Sequence, residues 1–245
     1  MARVTAIPYL NTVPFVYGLK QKVLDSIDLS FATPSVAAHQ LQNDLCDLAI
    51  VPVAAIPALS WYEIIGTHCI GATGAVASVL LCSQVSVEQI RKVSLDQESR
   101  TSVLLAKLLL RDYWKVAPRY VPLSADFPNH HPESAVLIGD KALLHGGAYP
   151  YIYDLAEYWI RWTGKPFVFA AWVANKVLPD GFVSLFDEAL AYGVAHIDEA
   201  IASEVNEHVF SASFANAYLT HNISYFLDNE KYEGLRLFWE RIDKP

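Results

Sequence analysis

The sequence predicts a two-lobed α/β fold with a ligand cleft between the lobes. Three observations carry that prediction. Short apolar runs alternate with helix-period segments from the start, and the alternation begins afresh after Val85. Two extended apolar stretches, residues 77–81 and 169–173, are placed to cross between two such blocks. The expected first lobe is residues 1–77 with 173–245, and the second is residues 78–172. The two crossings would act as a hinge that closes the lobes around a ligand.

Residues 4–8 read as a strand, and Tyr9-Leu10-Asn11-Thr12-Val13-Pro14 as a loop running into a helix. Pro14 suits a first helical turn, where its missing N–H costs nothing. Residues 28–32 form a second short strand. Thr33-Pro34-Ser35 opens a helix through Val36, Ala37 and Leu41. It stops at Asn43-Asp44, residues that tolerate the left-handed conformation. The unbroken apolar run Cys46-Asp47-Leu48-Ala49-Ile50-Val51 has the pattern of a parallel strand covered on both faces. Such a βαβαβ opening belongs to a doubly wound sheet, whose ligands sit at the carboxyl ends of its strands.

Residues 61–65 and 76–83 read as extended, with Gly66, Gly71 and Gly74 as punctuation. After Val85 come a helix, a strand at Val93, a helix from Arg100 and a strand at 120–122. Residues 124–133 are a polar loop. Ala135-Val136-Leu137-Ile138 is a buried strand that ends in Gly139-Asp140 before a helix from Lys141. Residues 153–162 read as an aromatic-rich helix and 167–173 as a strand. Beyond Gly181 the chain reads as helical to its end.

The chain has 245 residues, 53% hydrophobic and 18% charged, which is enough apolar material for real α/β cores and far from disorder. A formal net charge of -8 provides no basic face for nucleic acid. An anionic ligand would therefore be drawn by helix ends and a few arginines rather than by the global field. No apolar run reaches the roughly 18 residues of a membrane span. Residues 1–8 show neither an apolar signal core nor a cleavage site, so a cytoplasmic protein with no membrane partner is expected. Cys46, Cys69 and Cys82 are scattered through apolar contexts and read as core thiols rather than a disulfide or metal set. His130-His131 lacks carboxylates or thiols at metal spacing, and no metal is expected. His68, on an apolar stretch, reads as a satisfied core residue. Gly71-Ala72-Thr73-Gly74 lacks the spacing of a phosphate loop. Oligomeric state is left open.

One junction stands out as a candidate site. Ser94 to Ser102 places the hydroxyls of Ser99, Thr101 and Ser102 and the guanidinium of Arg100 where a strand gives way to a helix. Four N–H groups there lack intrahelical partners, and the macrodipole adds about half a positive charge. Such an end holds a carboxylate or phosphate well. The same pattern, taken alone, is also an ordinary cap with Ser99 as N-cap.

Several blocks occur in one order along the chain. They are Tyr9-Leu10-Asn11-Thr12-Val13-Pro14, Asp47-Leu48-Ala49-Ile50-Val51-Pro52-Val53 and Gly74-Ala75-Val76-Ala77-Ser78-Val79-Leu80-Leu81. Leu95-Asp96 with Ser99-Arg100-Thr101-Ser102 follows, then Ile138-Gly139-Asp140 with Ala142-Leu143, and Thr163-Gly164-Lys165-Pro166-Phe167-Val168-Phe169-Ala170-Ala171-Trp172. Together they resemble the chorismate dehydratase family of menaquinone biosynthesis by the futalosine route, and the resemblance fades in the helical tail. It implies a type II periplasmic-binding-protein-like fold with two hinge crossings, used as a carbon–oxygen lyase. The implied reaction removes water from chorismate, a small dicarboxylate, to give 3-[(1-carboxyvinyl)oxy]benzoate with no cofactor. Two rival readings remain: a non-catalytic small-carboxylate-binding protein on the same fold, and a paralogous enzyme of the same pathway.

That reaction takes the ring hydroxyl and the proton on the adjacent ether-bearing carbon, and the ring becomes aromatic. The driving force is built in, so the protein's task is to select one of several easy eliminations. It does so by holding one conformer and stabilising charge along one path. The amide of Asn11 can donate and accept, although taken alone it also suits an Asx turn. Ser78 falls in the first crossing. Asn11 and Ser78 are the expected catalytic pair, with Ser99, Arg100, Thr101 and Ser102 as a carboxylate clamp. Gly139 and Asp140 are expected to line the cleft, Asp140 alternatively capping its helix. No histidine offers itself as a base, so a substrate carboxylate is expected to take the proton.

Overall fold

The described residues, 1–243 of a computed structural model, build two sheets; Lys244 and Pro245, the end of the expected first lobe, lie outside them. The chain starts in the first sheet with β1 (Ala2–Ala6), β2 (Ile27–Phe31), β3 (Leu48–Pro52) and β4 (Glu63–Ala72). It then builds the second sheet from β5 (Val79–Ser83), β6 (Lys92–Leu95), β7 (Arg119–Pro122), β8 (Ser134–Ile138) and β9 (Tyr151–Asp154). β10 (Phe167–Ala174) and β11 (Ser224–Phe226) return to the first sheet. The strand orders are β11-β4-β10-β3-β1-β2 and β7-β6-β8-β5-β9.

Both sheets follow one plan. β1 lies parallel to β2 and β3, and β6 lies parallel to β7 and β8. Into each parallel set the chain inserts an antiparallel strand on arrival, β5 after the first crossing and β10 after the second. Both inserted strands are buried along their whole length, which explains their unbroken apolar sequences. Phe167–Trp172, expected in the second lobe, pair in this arrangement with β3 and β4 of the first sheet. The chain thus leaves the first sheet over residues 73–78 and comes back through α5 (Leu155–Thr163).

The helices that matter for the cleft start at its edge. α1 (Val13–Lys22) carries Pro14 in its first turn, and α2 (Pro34–Gln42) ends before Asp44 at φ +56°, as the Asn43-Asp44 stop predicts. α3 (Arg100–Leu108) follows β6, and α4 (Gly139–His145) follows β8. Beyond β10 come α6 (Asp180–Ala195), α7 (Ile197–Glu204), α8 (Ala212–His221) and α9 (Asn229–Ile242). α1 and α6 touch backbone to backbone. A Cβ on Gly193 would fall 1.7 Å from the Pro14 carbonyl oxygen, and one on Gly18 1.9 Å from that of Ala189. This contact fixes where α1 begins and therefore where Asn11 sits.

Three expectations need correction. The helix expected after Val85 is only a 3-10 turn, Val87–Gln89. Tyr153 and Asp154, expected in the aromatic helix, belong to β9 instead, because Asp154 is an N-cap that accepts from the N–H groups of Ala156 and Glu157, both at 3.1 Å. The tail is interrupted by β11, which closes the edge of the first sheet against β4.

The three cysteines are free and buried, and burial pushes the Cys69 and Cys82 thiols up to about 12. His68 is buried as expected, and its Nδ1 lies 2.7 Å from Asp187 Oδ1. Among the described residues no helix is long and apolar enough to cross a membrane, and no group of His, Cys, Asp or Glu is placed to hold a metal ion.

Candidate functional site

A cavity of about 50 Å³ lies where the two sheets meet. The first sheet and its loops contribute Ile7, Tyr9, Asn11, Thr12, Pro34, Pro52 and Phe169; the second contributes Val79, Ser99, Ser102, Ile138 and Gly139. Ser78 comes from the crossing itself. The strand ends of β1, β3 and β8 and the starts of α2, α3 and α4 all abut it, as expected for the carboxyl edge of such sheets.

Asn11 sits in a 3-10 turn, Leu10–Thr12, between β1 and α1. Two hydroxyls hold that turn. Thr12 donates to the carbonyls of Ile7 and of Tyr9, the latter at 2.8 Å, and Tyr225 donates to the Asn11 carbonyl at 3.0 Å. The Asn11 side chain lies close enough to the Tyr218 phenol to pull its pKa down against the effect of burial.

Ser78 follows Ala77, whose φ of +60° costs an L-residue about 1–2 kcal/mol. The carboxylate of Asp154 offsets that cost. It accepts from the Ala77 N–H at 2.6 Å while capping α5 with its other oxygen. Burial raises the Asp154 pKa, and these backbone N–H groups pull it back. The Ser78 carbonyl accepts from Gly139 N–H at 2.8 Å, and its Oγ accepts from the Tyr218 hydroxyl at 2.7 Å. Neither Tyr218 nor Tyr225 was singled out in the sequence.

At the head of α3, Ser99 is the N-cap. Its Oγ accepts from the Ser102 N–H at 3.4 Å and from the Ser102 hydroxyl at 3.1 Å. Ser99 and Ser102 both line the cavity, so capping and ligand binding share one pair of side chains. Positions 100 and 101 are turned away from that face by the 3.6-residue period. Arg100 is exposed and does not border the cavity. Thr101 is buried and accepts from the Ala54 N–H at 3.1 Å, so it ties α3 to the first lobe rather than facing a ligand.

Gly139 lines the cavity at φ +54°. Asp140 faces a neighbouring cavity of about 280 Å³ and accepts from the Leu10 N–H at 3.0 Å. Burial raises its pKa. Tyr9, in the loop that leads into α1, donates to Glu98 Oε2, and Lys141 bridges Glu98 at 2.9 Å and Asp96 at 3.0 Å. Burial first, and then Glu98, hold the Tyr9 phenol far above its ordinary pKa. Among the described residues it is the one titratable side chain on the cavity wall, and it stays protonated.

Among the described residues the cavity wall is therefore built from hydroxyls, one amide, apolar surface and helix starts, without a carboxylate, amine or imidazole. Such a wall can orient an anion and donate hydrogen bonds. It offers no strong base of its own.

A family model described as menaquinone biosynthesis matches residues 2–244. The chorismate dehydratase of Thermus thermophilus is 28% identical over 192 residues, 70% of either chain. Among solved structures, a protein from Archaeoglobus fulgidus superposes with a TM-score of 0.74 at 15% identity, over 99% of this chain and 96% of that one. The periplasmic aliphatic sulphonate binding protein of Escherichia coli gives 0.62 at 18% identity, over 99% of this chain and 85% of that one. These likenesses bear out the two-lobed, periplasmic-binding-protein-like fold. With a match that runs nearly end to end, the chain belongs to the menaquinone biosynthesis family, within which it resembles chorismate dehydratase.

Proposed function

We propose that the chain is a chorismate dehydratase and that the cleft holding Asn11 and Ser78 is its active site. One observation carries the reading: Asn11 and Ser78 line the same cavity as the Ser99–Ser102 pair at the start of α3, and among the described residues no carboxylate, amine or imidazole lines it. Elimination needs little more. As the ring C–H bond breaks, its electron pair becomes part of the aromatic ring and the neighbouring C–O bond breaks. The ring proton goes to one of the substrate's own carboxylates and passes on to the departing hydroxyl, which leaves as water and returns the carboxylate to its ionised form.

Ser78 donates to the departing hydroxyl, where negative charge builds up, and Asn11 fixes the ring beside it. Ser99, Ser102 and the helix start hold the second carboxylate. Gly139 allows close approach of the backbone. Arg100 and Thr101 act outside the contact surface, and Asp140 positions the Leu10–Thr12 turn. Selectivity comes from a wall that stabilises one path, which suits a substrate prone to other eliminations.

Incubating the purified protein with chorismate and weighing the product tests this directly. A product lighter by one water supports the reading. Chorismate bound but unchanged supports the carboxylate-binding alternative. Wild-type turnover by both Asn11→Ala and Ser78→Ala would overturn the residue assignment, while an expected loss of about 100-fold or more in each fits removal of a donor aimed at developing charge.

A further inference from the structure

We propose that Tyr218 is the positioning residue of this site: by donating to the Ser78 hydroxyl it aims that hydroxyl's own proton into the cavity. The inference rests on the reading of Ser78 and Asn11 given above and deepens it.

Tyr218 lies on α8, in a tail whose sequence reads only as packing. With Ala215 and Leu219 it forms the buried stripe of that helix, a spacing any core helix shows. Its hydroxyl nevertheless ends at the crossing between the lobes, 2.7 Å from Ser78 Oγ, to which it donates. The Asn11 side chain lies near enough to the same phenol to influence its pKa. Two residues 140 positions apart in sequence are thus joined hydroxyl to hydroxyl. Tyr218 itself does not border the cavity, whereas Ser78 and Asn11 do.

The direction of the hydrogen-bond chain follows from donor and acceptor counts. A serine hydroxyl has one proton and two lone pairs. With one lone pair occupied by the Tyr218 proton, the Ser78 proton must point elsewhere, and the cavity is the open side. Tyr218 is fully buried, and burial raises its pKa well above the ordinary phenol value, so it remains a donor throughout the working pH range. Each bond in such a chain polarises the next. The Ser78 O–H therefore meets the departing hydroxyl already oriented, and no reorganisation accompanies the bond cleavage.

The test is a double-mutant cycle between Tyr218→Phe and Ser78→Ala, read as kcat and KM for chorismate at a temperature well below the lowest melting midpoint. Tyr218→Phe is expected to lower kcat about 10- to 100-fold, with KM changed less than about threefold. Once Ser78 is alanine there is no hydroxyl to aim, so the double variant should be no slower than Ser78→Ala alone. Tyr153→Phe is the structural control, since it removes a phenol that accepts from the Val87 N–H at 2.9 Å in the second sheet. It should cost comparable stability and leave kcat unchanged. Full kcat in Tyr218→Phe, or strictly multiplicative losses in the double variant, would overturn the positioning role while leaving the dehydratase reading intact. A wild-type protein that does not convert chorismate overturns the dehydratase reading and this inference with it.

Discussion

Gly139→Ala puts a single methyl group where three parts of the site converge. The residue adopts φ +54°, a conformation that costs an alanine about 1–2 kcal/mol. The added Cβ would also lie 2.9 Å from two ring carbons of Tyr9. That ring cannot simply swing aside, because its hydroxyl is bonded to Glu98, and Glu98 is in turn bonded to Lys141 at 2.9 Å. Forcing a rigid ring to give by a few tenths of an ångström adds about 1 kcal/mol. The expected destabilisation is therefore about 2–3 kcal/mol, and for a chain of this size the melting midpoint should fall by roughly 4–12 °C. Denaturant unfolding and thermal melts, each with and without chorismate, measure it. Gly139 is on the second lobe and Tyr9 on the first, so the clash opposes closure, and the stabilisation given by saturating ligand should shrink as well. A variant within about 0.5 kcal/mol of wild type and with an unchanged ligand-induced shift would refute the reasoning, since surface-like tolerance is incompatible with this contact.

Two further outcomes follow from the charges. The hydrogen bond from Arg3 holds the Asp47 carboxyl well below the usual carboxylate range, with Nη2 of Arg3 at 2.6 Å and Lys176 at 2.8 Å. A depressed folded-state pKa contributes stability above the unfolded value, about 3.9, and loses it as the pH falls from there towards the folded value. Asp47→Asn should cost roughly 1 kcal/mol at pH 7 after allowance for solvent screening, and the gap to wild type in urea unfolding should narrow below about pH 4. A gap that stays constant down to about pH 2.5 would remove the ion pair as its cause. Arg100→Ala, at an exposed position off the cavity wall, should change KM for chorismate less than about threefold. A tenfold rise would restore the guanidinium to the clamp.

Most of the scaffold was legible because burial writes itself into local pattern. The inserted strands β5 and β10 are enclosed on both faces, and their sequences are correspondingly unbroken apolar runs. Pro14 and Asn43-Asp44 marked helix boundaries through backbone chemistry that needs no tertiary context. β9 was missed because its aromatic residues suit strand and helix alike, and Asp154 spends its side chain on a cap that also restrains Ala77, a contact 77 residues away. Of the site, the residues carried by a motif, Asn11, Ser78, Ser99 and Ser102, meet at one cavity. Arg100 and Thr101 share that motif but not its face, and a motif alone does not reveal which helical positions point inward. Tyr218 and Tyr225 were missed for a different reason. A tyrosine on an apolar stripe reads as packing, and only the fold reveals where its hydroxyl ends.

The position of Ser78 gives the proposed chemistry a structural logic. It is neither on a loop tip nor inside a lobe, but in the segment through which the chain passes from one sheet to the other. Its oxygens face both ways. The carbonyl is tied to Gly139 of the second lobe, and the hydroxyl to Tyr218 in the C-terminal helices packed against the first. Asp154 pins the preceding residue in a left-handed conformation that alanine would not choose by itself. The Ser78 hydroxyl and the Ser99–Ser102 end of α3, carried by different parts of the fold, line one cavity. For the substrate proposed above, which eliminates readily by several routes, a donor held at the crossing assists the favoured route where the ring is fixed in one conformer.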